Sequence, residues 1–363
     1  MENKAESSEM ISKKMVEISN YITALKSLLC FRRFVMEKAN GTFYFGANLN
    51  LKESNKTLTP DILVKLPNGF WVGEIKKSLC KPENFPKNKD YIKDYIESRI
   101  INQLKSYDNS FKEIDSIEHD LILMLPKRDI EAVGYLKVKY LEKKEKEGIK
   151  MFNNKFALIT YSITNGAQTE FIMLDLEKGE LSDSSITELL KIGYKKMSSE
   201  LKEDLGKFKI YEEADKTPIE YIMVLMWTEI FPELINKGDI EKIIEWKDKK
   251  EHVFEVKLSD LVKYLKDMYT LPSFNSNDRL QFNKTLIMDA MKGFQKIKFK
   301  NERTQNFDSA VELIGENEDK IFKVRYRSLP EKDELKFILR AMNKETDELK
   351  TPEKTVDQTE LNF

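Results

Sequence analysis

The seven residues DLILMLP, 120–126, restrict the fold more than any other stretch of the chain. No polar side chain interrupts the run between Asp120 and Pro126, so a strand built from it has no face to give to water. It belongs inside a sheet, with cover on both sides. The flanking segments supply that cover. Residues 8–38 place Met15, Ile18, Ile22, Leu25 and Leu29 at three- and four-residue spacing, a helical period, and Gly41 ends the run. Three strand-like segments follow: TFYFGANL (42–49), DILVKL (61–66) and FWVGEIK (70–76). The last two are joined by PNG, a tight-turn signal that makes them an antiparallel pair. A Pro- and Lys-rich loop (81–90) leads into YIKDYIESRIINQLKSYDNSF, whose Ile and Leu spacing is helical. After DLILMLP come a charged helix at 129–148, then KFALITYSI (155–163) and EFIMLDL (170–176) around an Asn-Gly turn. This order predicts an α/β domain over residues 1–180, a mixed β-sheet flanked by helices.

Residues 181–216 are charged and read as a helical connector. From Pro218 the character changes, with helices expected at 218–236, 258–269 and 277–293, and Pro272 and a run of Ser and Asn between the last two. SAVELIG (309–315) and KIFKVRYRS (320–328) read as strands. Three helices followed by a β-hairpin outline a winged-helix-like domain over 217–342. Residues 343–363 are polar and charged, and are expected to be disordered.

Composition excludes several function classes. With 363 residues, 40% hydrophobic and 34% charged, the chain can form two ordinary cores with well-solvated surfaces. No apolar run approaches bilayer length, which argues against a membrane partner; the densest, YIMVLMW (221–227), suits a core helix. The opening MENKAESSEM is acidic and polar, unlike a secretory signal. Cys30 and Cys80 stand far apart without a His/Cys cluster, which points to a reducing cytoplasm and away from structural zinc. Two histidines, His119 and His252, are too few for sites built on several imidazoles. A net charge of −1 gives no global reason to expect nucleic acid, so any such partner must be met by local asymmetry.

The hairpin carries the candidate chemistry. Alternate residues of a strand face the same side, so Glu74 and Lys76 project together while Ile75 enters the core. The PNG turn brings the start of the first strand, Asp61, beside the end of the second. Two carboxylates and the backbone carbonyl of Ile75 form a hard oxygen site suited to Mg²⁺, with Mn²⁺ as a substitute. Such an ion polarises a phosphoryl group and lowers the pKa of bound water, while Lys76 orients that water or stabilises developing negative charge. The plainer alternative is a solvent-facing strand with a salt bridge, since E-x-K triplets are frequent in this chain. Lys77 alternates to the opposite face as a structural or solvated residue. His119, just before a buried strand, reads as a capping or packing residue rather than a general base.

The pattern resembles the PD-(D/E)xK nuclease superfamily, of restriction-endonuclease-like fold. Pro60-Asp61 supplies the first part and Glu74-Ile75-Lys76 the second. QLKSY, on the helix after the third strand, places Gln103 and Tyr107 as the Q-x-x-x-Y element of the recombination-type exonuclease branch; four residues apart, they share a helix face. The resemblance covers residues 10–180. It implies that Asp61 and Glu74 bind metal, that Lys76 serves catalysis, and that Gln103 and Tyr107 support the site or contact substrate. Members also often carry an acidic residue on the first helix, for which Glu37 is the first candidate and Glu17 the second. The implied function is a Mg²⁺-dependent DNA endonuclease in restriction, anti-phage defence or repair. With no G-x-x-x-x-G-K-[ST] in the chain, it acts alone, as a homodimer, or with a translocase partner. The rival from another class is a catalytically silent DNA- or protein-binding factor on the same fold.

Two further features concern partners. Between Arg279 and Arg303 stand seven basic residues (Arg279, Lys284, Lys292, Lys296, Lys298, Lys300, Arg303) against two acidic ones, Asp289 and Glu302. The hairpin beyond adds Lys320, Lys323, Arg325 and Arg327, with Tyr326 among them. A phosphate-contacting surface, with the 277–293 helix offered to a groove, is one reading; a solvated lysine-rich face or a protein-binding winged helix is the other. The terminal QTELNF has Gln358, Leu361 and Phe363 in Q-x-x-L-x-F spacing. It resembles the short peptides that dock on the bacterial sliding clamp, where a disordered tether presents a Gln and two apolar anchors. Otherwise it is an arbitrary polar terminus.

Overall fold

The computed structural model describes residues 2–78, 94–114, 119–166, 169–211, 217–237, 243–247, 251–271, 274, 279–300, 306–315, 319–327 and 338–339. They fall into two compact units. One is Ser19–Lys216 with Leu265–Gln281; the other comprises the described residues of Met1–Ile18, Thr217–Tyr264 and Phe282–Phe363. Cys80, the 81–90 loop, Arg303 and the tail with Gln358, Leu361 and Phe363 lie outside the described residues. Among the described residues no helix is long and apolar enough to cross a membrane.

The first unit is built on a mixed sheet of seven strands. Helix α1 (Glu2–Lys38) precedes β1 (Thr42–Tyr44), β2 (Leu49–Asn50), β3 (Thr57–Leu58), β4 (Ile62–Leu66) and β5 (Gly69–Ile75). Helix α2 opens with a wide π-type stretch, Ile96–Ile101, and continues as Asn102–Tyr107. Then come β6 (Asp120–Pro126), the broken helix α3 (Ile130–Gly134, Tyr135–Glu142, Lys143–Lys146), β7 (Phe156–Asn165), β8 (Glu170–Gly179), α4 (Ser184–Ile192), β9 (Tyr194–Met197) and α5 (Lys202–Lys207). The sheet order is β1-β4-β5-β6-β7-β8-β9. β4 and β5 are antiparallel from Ile62↔Gly73 to Leu66↔Gly69, and β6 runs parallel to both β5 and β7. Every residue of β6 is buried, at the sheet's centre, as its unbroken apolar run requires.

The two sheet faces are covered by different helices. Leu63, Val72, Leu121, Leu123, Leu125 and Leu158 pack with Ile96, Ile100, Ile101 and Leu104 of α2 into one cluster. Trp71, of opposite parity to Val72, places its ring 6.1 Å from Phe31 of α1. So α1 takes one face and α2 the other. α1 stops at Asn40, which adopts φ 49°, the left-handed conformation common after a helix end.

Several boundaries differ from the sequence reading. The segment 42–49 divides, because Gly46 turns the backbone at φ 54°. β1 joins the sheet through β4, and β2 pairs with β3 as a separate ribbon. Residues 181–216 are more than a helical connector. β9 extends the sheet antiparallel to β8, and Asp204 of α5 binds Arg32 and Arg33 of α1, each at 2.7 Å. Residues 265–281, expected within the second domain, group with the first unit. There Gln281 Oε1 accepts from Lys209 N (2.8 Å) and Ile210 N (3.2 Å), and its Nε2 donates to the Lys207 carbonyl at 2.9 Å.

The second unit contains α6 (Ile219–Leu225, Met226–Ile230, Phe231–Lys237), β10 (Ile243–Lys247), β11 (Glu251–Lys257), α7 (Leu258–Met268), α8 (Lys284–Gln295), β16 (Val311–Gly315) and β17 (Ile321–Arg327). The short β12 (Thr270–Leu271) and β13 (Arg279–Leu280), which belong to the first unit, pair together, and in the second unit β14 (Lys298–Lys300) pairs with β15 (Phe307–Ser309). The three expected helices are present, α8 starting later, at an Asn283 cap that accepts from Leu286 N at 2.8 Å. The hairpin β10–β11 is an addition to the elements that the sequence reading predicts. It enters between α6 and α7, and β11 pairs with β17 to make a four-stranded antiparallel sheet, β10-β11-β17-β16. The simple outline of three helices followed by a hairpin therefore does not describe the unit. YIMVLMW is core: Trp227 stands 5.4 Å from Phe294 and 5.2 Å from Tyr326, ring to ring.

Candidate active site

Asp61 immediately precedes β4, Glu74 lies in β5, and Lys76 immediately follows it. Extending the Ile62↔Gly73 register by one residue sets Asp61 opposite Glu74. Both share parity with Leu63 and Val72, so they face α2. Asp61 Oδ2 accepts from Ile75 N at 3.2 Å. An extended residue directs its N–H and C=O to the same side, so the Ile75 carbonyl also looks toward Asp61.

Helix α2 closes the arrangement from above. Its buried Ile100, Ile101 and Leu104 fix the helix against the sheet, which leaves Gln103 and Tyr107, one turn apart, over the end of β5. Lys76 Nζ donates to Glu74 Oε2 at 2.6 Å and to Gln103 Oε1 at 3.0 Å. Gln103 Nε2 donates to the Tyr107 hydroxyl at 3.1 Å, and that hydroxyl donates to Glu74 Oε1. The four side chains form a closed ring of hydrogen bonds, with the Glu74 side chain only 4% exposed.

The charges follow from this packing. Burial draws the Lys76 pKa down, but the Glu74 and Asp61 carboxylates and the Glu74 hydrogen bond outweigh it, leaving the amine above its ordinary value. Lys76 is thus held as an ammonium that donates to Glu74 and Gln103. Burial and the neighbouring Glu74 charge push the Tyr107 phenol up, so it stays protonated and donates.

The other candidates are placed as follows. Glu37 does not reach Asp61 or Glu74. Its carboxylate binds Lys196 at 3.0 Å and accepts from the Tyr194 hydroxyl at 2.9 Å, because α1 covers the opposite face of the sheet. Glu17 pairs with Lys14 on the exposed side of α1 at 3.4 Å. Lys77 lies over the Tyr21 ring of α1, 5.7 Å from its centroid, on the face opposite Lys76. His119 packs and caps: its Nε2 hydrogen-bonds the Tyr107 carbonyl at 2.6 Å, and its ring stands 5.6 Å from Phe111. One contact had no sequence signal. The buried Tyr161 of β7 donates its hydroxyl to the Lys76 carbonyl at 2.7 Å.

The donor set fits a divalent cation of the Mg²⁺ class. Two carboxylates and a carbonyl are hard oxygen ligands, and Mg²⁺ characteristically keeps waters for its remaining positions. Among the described residues no group of three or more His, Cys, Asp or Glu side chains gathers as a metal cage.

In the second unit the basic residues divide into two kinds. Lys284, Lys292, Lys296 and Lys298 are exposed, with Lys292 near Asp289 at 3.1 Å and Lys298 Nζ donating to Ser309 Oγ at 2.5 Å. On β17 the charges are matched across strands: Lys323 sits between Glu255 and Glu312 in register. Arg325 pairs with Glu312 at 3.1 Å and Asp308 at 3.8 Å, and the Arg327 guanidinium lies 4.7 Å from the Phe299 ring centroid. Lys300 is placed only as a backbone position in β14.

Fold and site together define a mixed α/β protein with a helix-flanked mixed sheet and an acid–acid–lysine cluster at the ends of two adjacent strands. No family model, curated protein or solved structure gives a significant match to the chain.

Proposed function

We propose that the protein is a Mg²⁺-dependent deoxyribonuclease that hydrolyses phosphodiester bonds, with the restriction-endonuclease-like unit as its catalytic part. One observation carries the reading: Asp61, Glu74 and Lys76 converge on one sheet face, under Gln103 and Tyr107 from the next helix. Asp61, Glu74 and the Ile75 carbonyl hold the cation. Bound there, Mg²⁺, or Mn²⁺ in its place, supplies Lewis acidity toward a phosphoryl oxygen and a more acidic water. Lys76, kept as an ammonium, faces the negative charge that develops on the phosphoryl group. Gln103 and Tyr107 hold Lys76 and Glu74 in that orientation.

The substrate is DNA, met by the exposed lysines around α8 in the second unit. The setting is the cytoplasm, in restriction, anti-phage defence or repair, and this part rests on fold-level analogy. The tail residues Gln358, Leu361 and Phe363 are proposed to dock on a sliding clamp, and a homodimer or a translocase partner would supply second-strand cutting or movement. A catalytically silent DNA- or protein-binding factor is the second reading. It is favoured by one feature: both oxygens of Glu74 already accept hydrogen bonds, from Tyr107 and Lys76.

Incubating the protein with plasmid, linear duplex and single-stranded DNA, with Mg²⁺, Mn²⁺ or EDTA, separates the two. Cleavage that EDTA abolishes is expected, as is a loss of about 10³-fold in Glu74→Gln, which keeps the side chain's shape. Cleavage by Glu74→Gln at the parent rate removes the assigned site.

A further inference from the structure

The parallel register of β5 and β6 leaves a gap beside Lys76. Lys76 N donates to the Met124 carbonyl at 3.0 Å, and the next rung of a parallel ladder runs from the N–H of residue 126 to the Lys76 carbonyl. Residue 126 is proline, which has no N–H. The carbonyl at that point, only partly exposed, is left for another donor. Tyr161, the partner of Pro126 in the β6–β7 register, provides it. Tyr161 is 1% exposed, and its hydroxyl donates to the Lys76 carbonyl at 2.7 Å.

We infer that Tyr161 is a positioning residue for Lys76, its phenol replacing the ladder hydrogen bond that Pro126 cannot make and so fixing the main chain from which the ammonium projects toward Glu74. The kinetic consequence rests on the nuclease reading; the structural one does not. Tyr161 touches no reacting atom and acts through Lys76.

Three variants test this: Tyr161→Phe, Pro126→Ala and the double variant. Pro126→Ala restores an N–H at the empty rung. Amide hydrogen exchange is followed across the sheet, and kcat and KM are measured for Mg²⁺-dependent DNA cleavage. In Tyr161→Phe, exchange at residues 75–77 is expected to speed by about tenfold, with the rest of β6 and β7 unchanged. Its kcat is expected to fall about tenfold at constant KM, because a displaced Lys76 is lost from the transition state rather than from substrate binding. The double variant recovers both, which general loss of packing would not allow. Unchanged exchange at residues 75–77 in Tyr161→Phe, or a double variant no better than the single one, overturns the inference. A parent protein that cuts no DNA overturns the nuclease reading instead, and the exchange data alone then decide the role of Tyr161. If Tyr161→Phe does not fold, a folded double variant supports the assignment, and an unfolded one overturns it.

Discussion

His119 shows how burial without a partner turns a titratable side chain into a stability term. Its Nε2 is satisfied by the Tyr107 carbonyl, whereas its Nδ1 is buried and has no hydrogen-bond partner. Protonation would add an N–H at Nδ1 with nothing to accept it. Burial therefore lowers the pKa below the ordinary 6.5, only partly opposed by the Tyr107 bond and by Asp108 and Asp120. The unfolded chain then binds the proton more readily than the folded one. The His119 contribution is complete above 6.5 and is lost as pH falls from there toward the folded value. Between about pH 7.5 and about pH 5.5, urea unfolding should show the parent losing stability more steeply than His119→Gln, by at most about 1.4 kcal/mol per pH unit. Parallel curves for the two proteins would refute this. The effect reaches the candidate site indirectly, because the bond from His119 holds the last turn of α2, from which Tyr107 reaches Glu74.

The strand β5 depends on a residue that carries no side chain. A Cβ at Gly73 would lie 2.0 Å from the Ile122 carbonyl oxygen, a backbone atom that cannot swing aside. Gly73→Ala must push β5 from β6 one residue before Glu74. We expect a loss of about 1–3 kcal/mol in unfolding free energy, with cleavage reduced in the fraction that folds; a variant as stable as the parent would contradict the strand spacing. The strong elements of this unit were legible in the sequence. DLILMLP suits a buried central strand, and the PNG hairpin alone puts Asp61 near Glu74 and Lys76. Weaker elements were not. β9, YKKM, has too little apolar character to announce a strand. The alternation of EHVFEVK in β11 is diluted by charges that only its partners in β17 explain. Glu37 was misplaced because helical spacing shows that α1 has an apolar stripe but not which face of the sheet the stripe covers. The role of Tyr161 was hidden for a related reason: it depends on the β5–β6–β7 register, which a tyrosine in a strand does not reveal.

With a net charge of −1 over 363 residues, the chain offers no long-range attraction to a polyanion, and the proposed DNA substrate would have to be met by a local surface. Basic residues that already hold carboxylates make poor phosphate ligands, since binding DNA would first require those pairs to break. This counts against Arg325, bound to Glu312 and Asp308, and against Lys323, set between Glu255 and Glu312. Lys284 and Lys292 are two helical repeats of four apart on α8, with Lys296 four residues further, and all three are exposed. Lys292 already holds Asp289 at 3.1 Å, so Lys284 and Lys296 are the side chains of this helix best able to release counterions from a DNA backbone. Each lysine contact adds roughly one to the slope of log affinity against log salt. Reversing charge in Lys284→Glu with Lys296→Glu should therefore weaken DNA binding at low salt and reduce that slope by about two, measured by fluorescence anisotropy on a labelled duplex. Arg325→Ala should leave affinity and slope unchanged while lowering the unfolding midpoint, because it removes ion pairs within the sheet. If Arg325→Ala flattens the salt dependence and the lysine reversal does not, the DNA surface lies on β17, and the cross-strand pairs seen here must open when the duplex arrives.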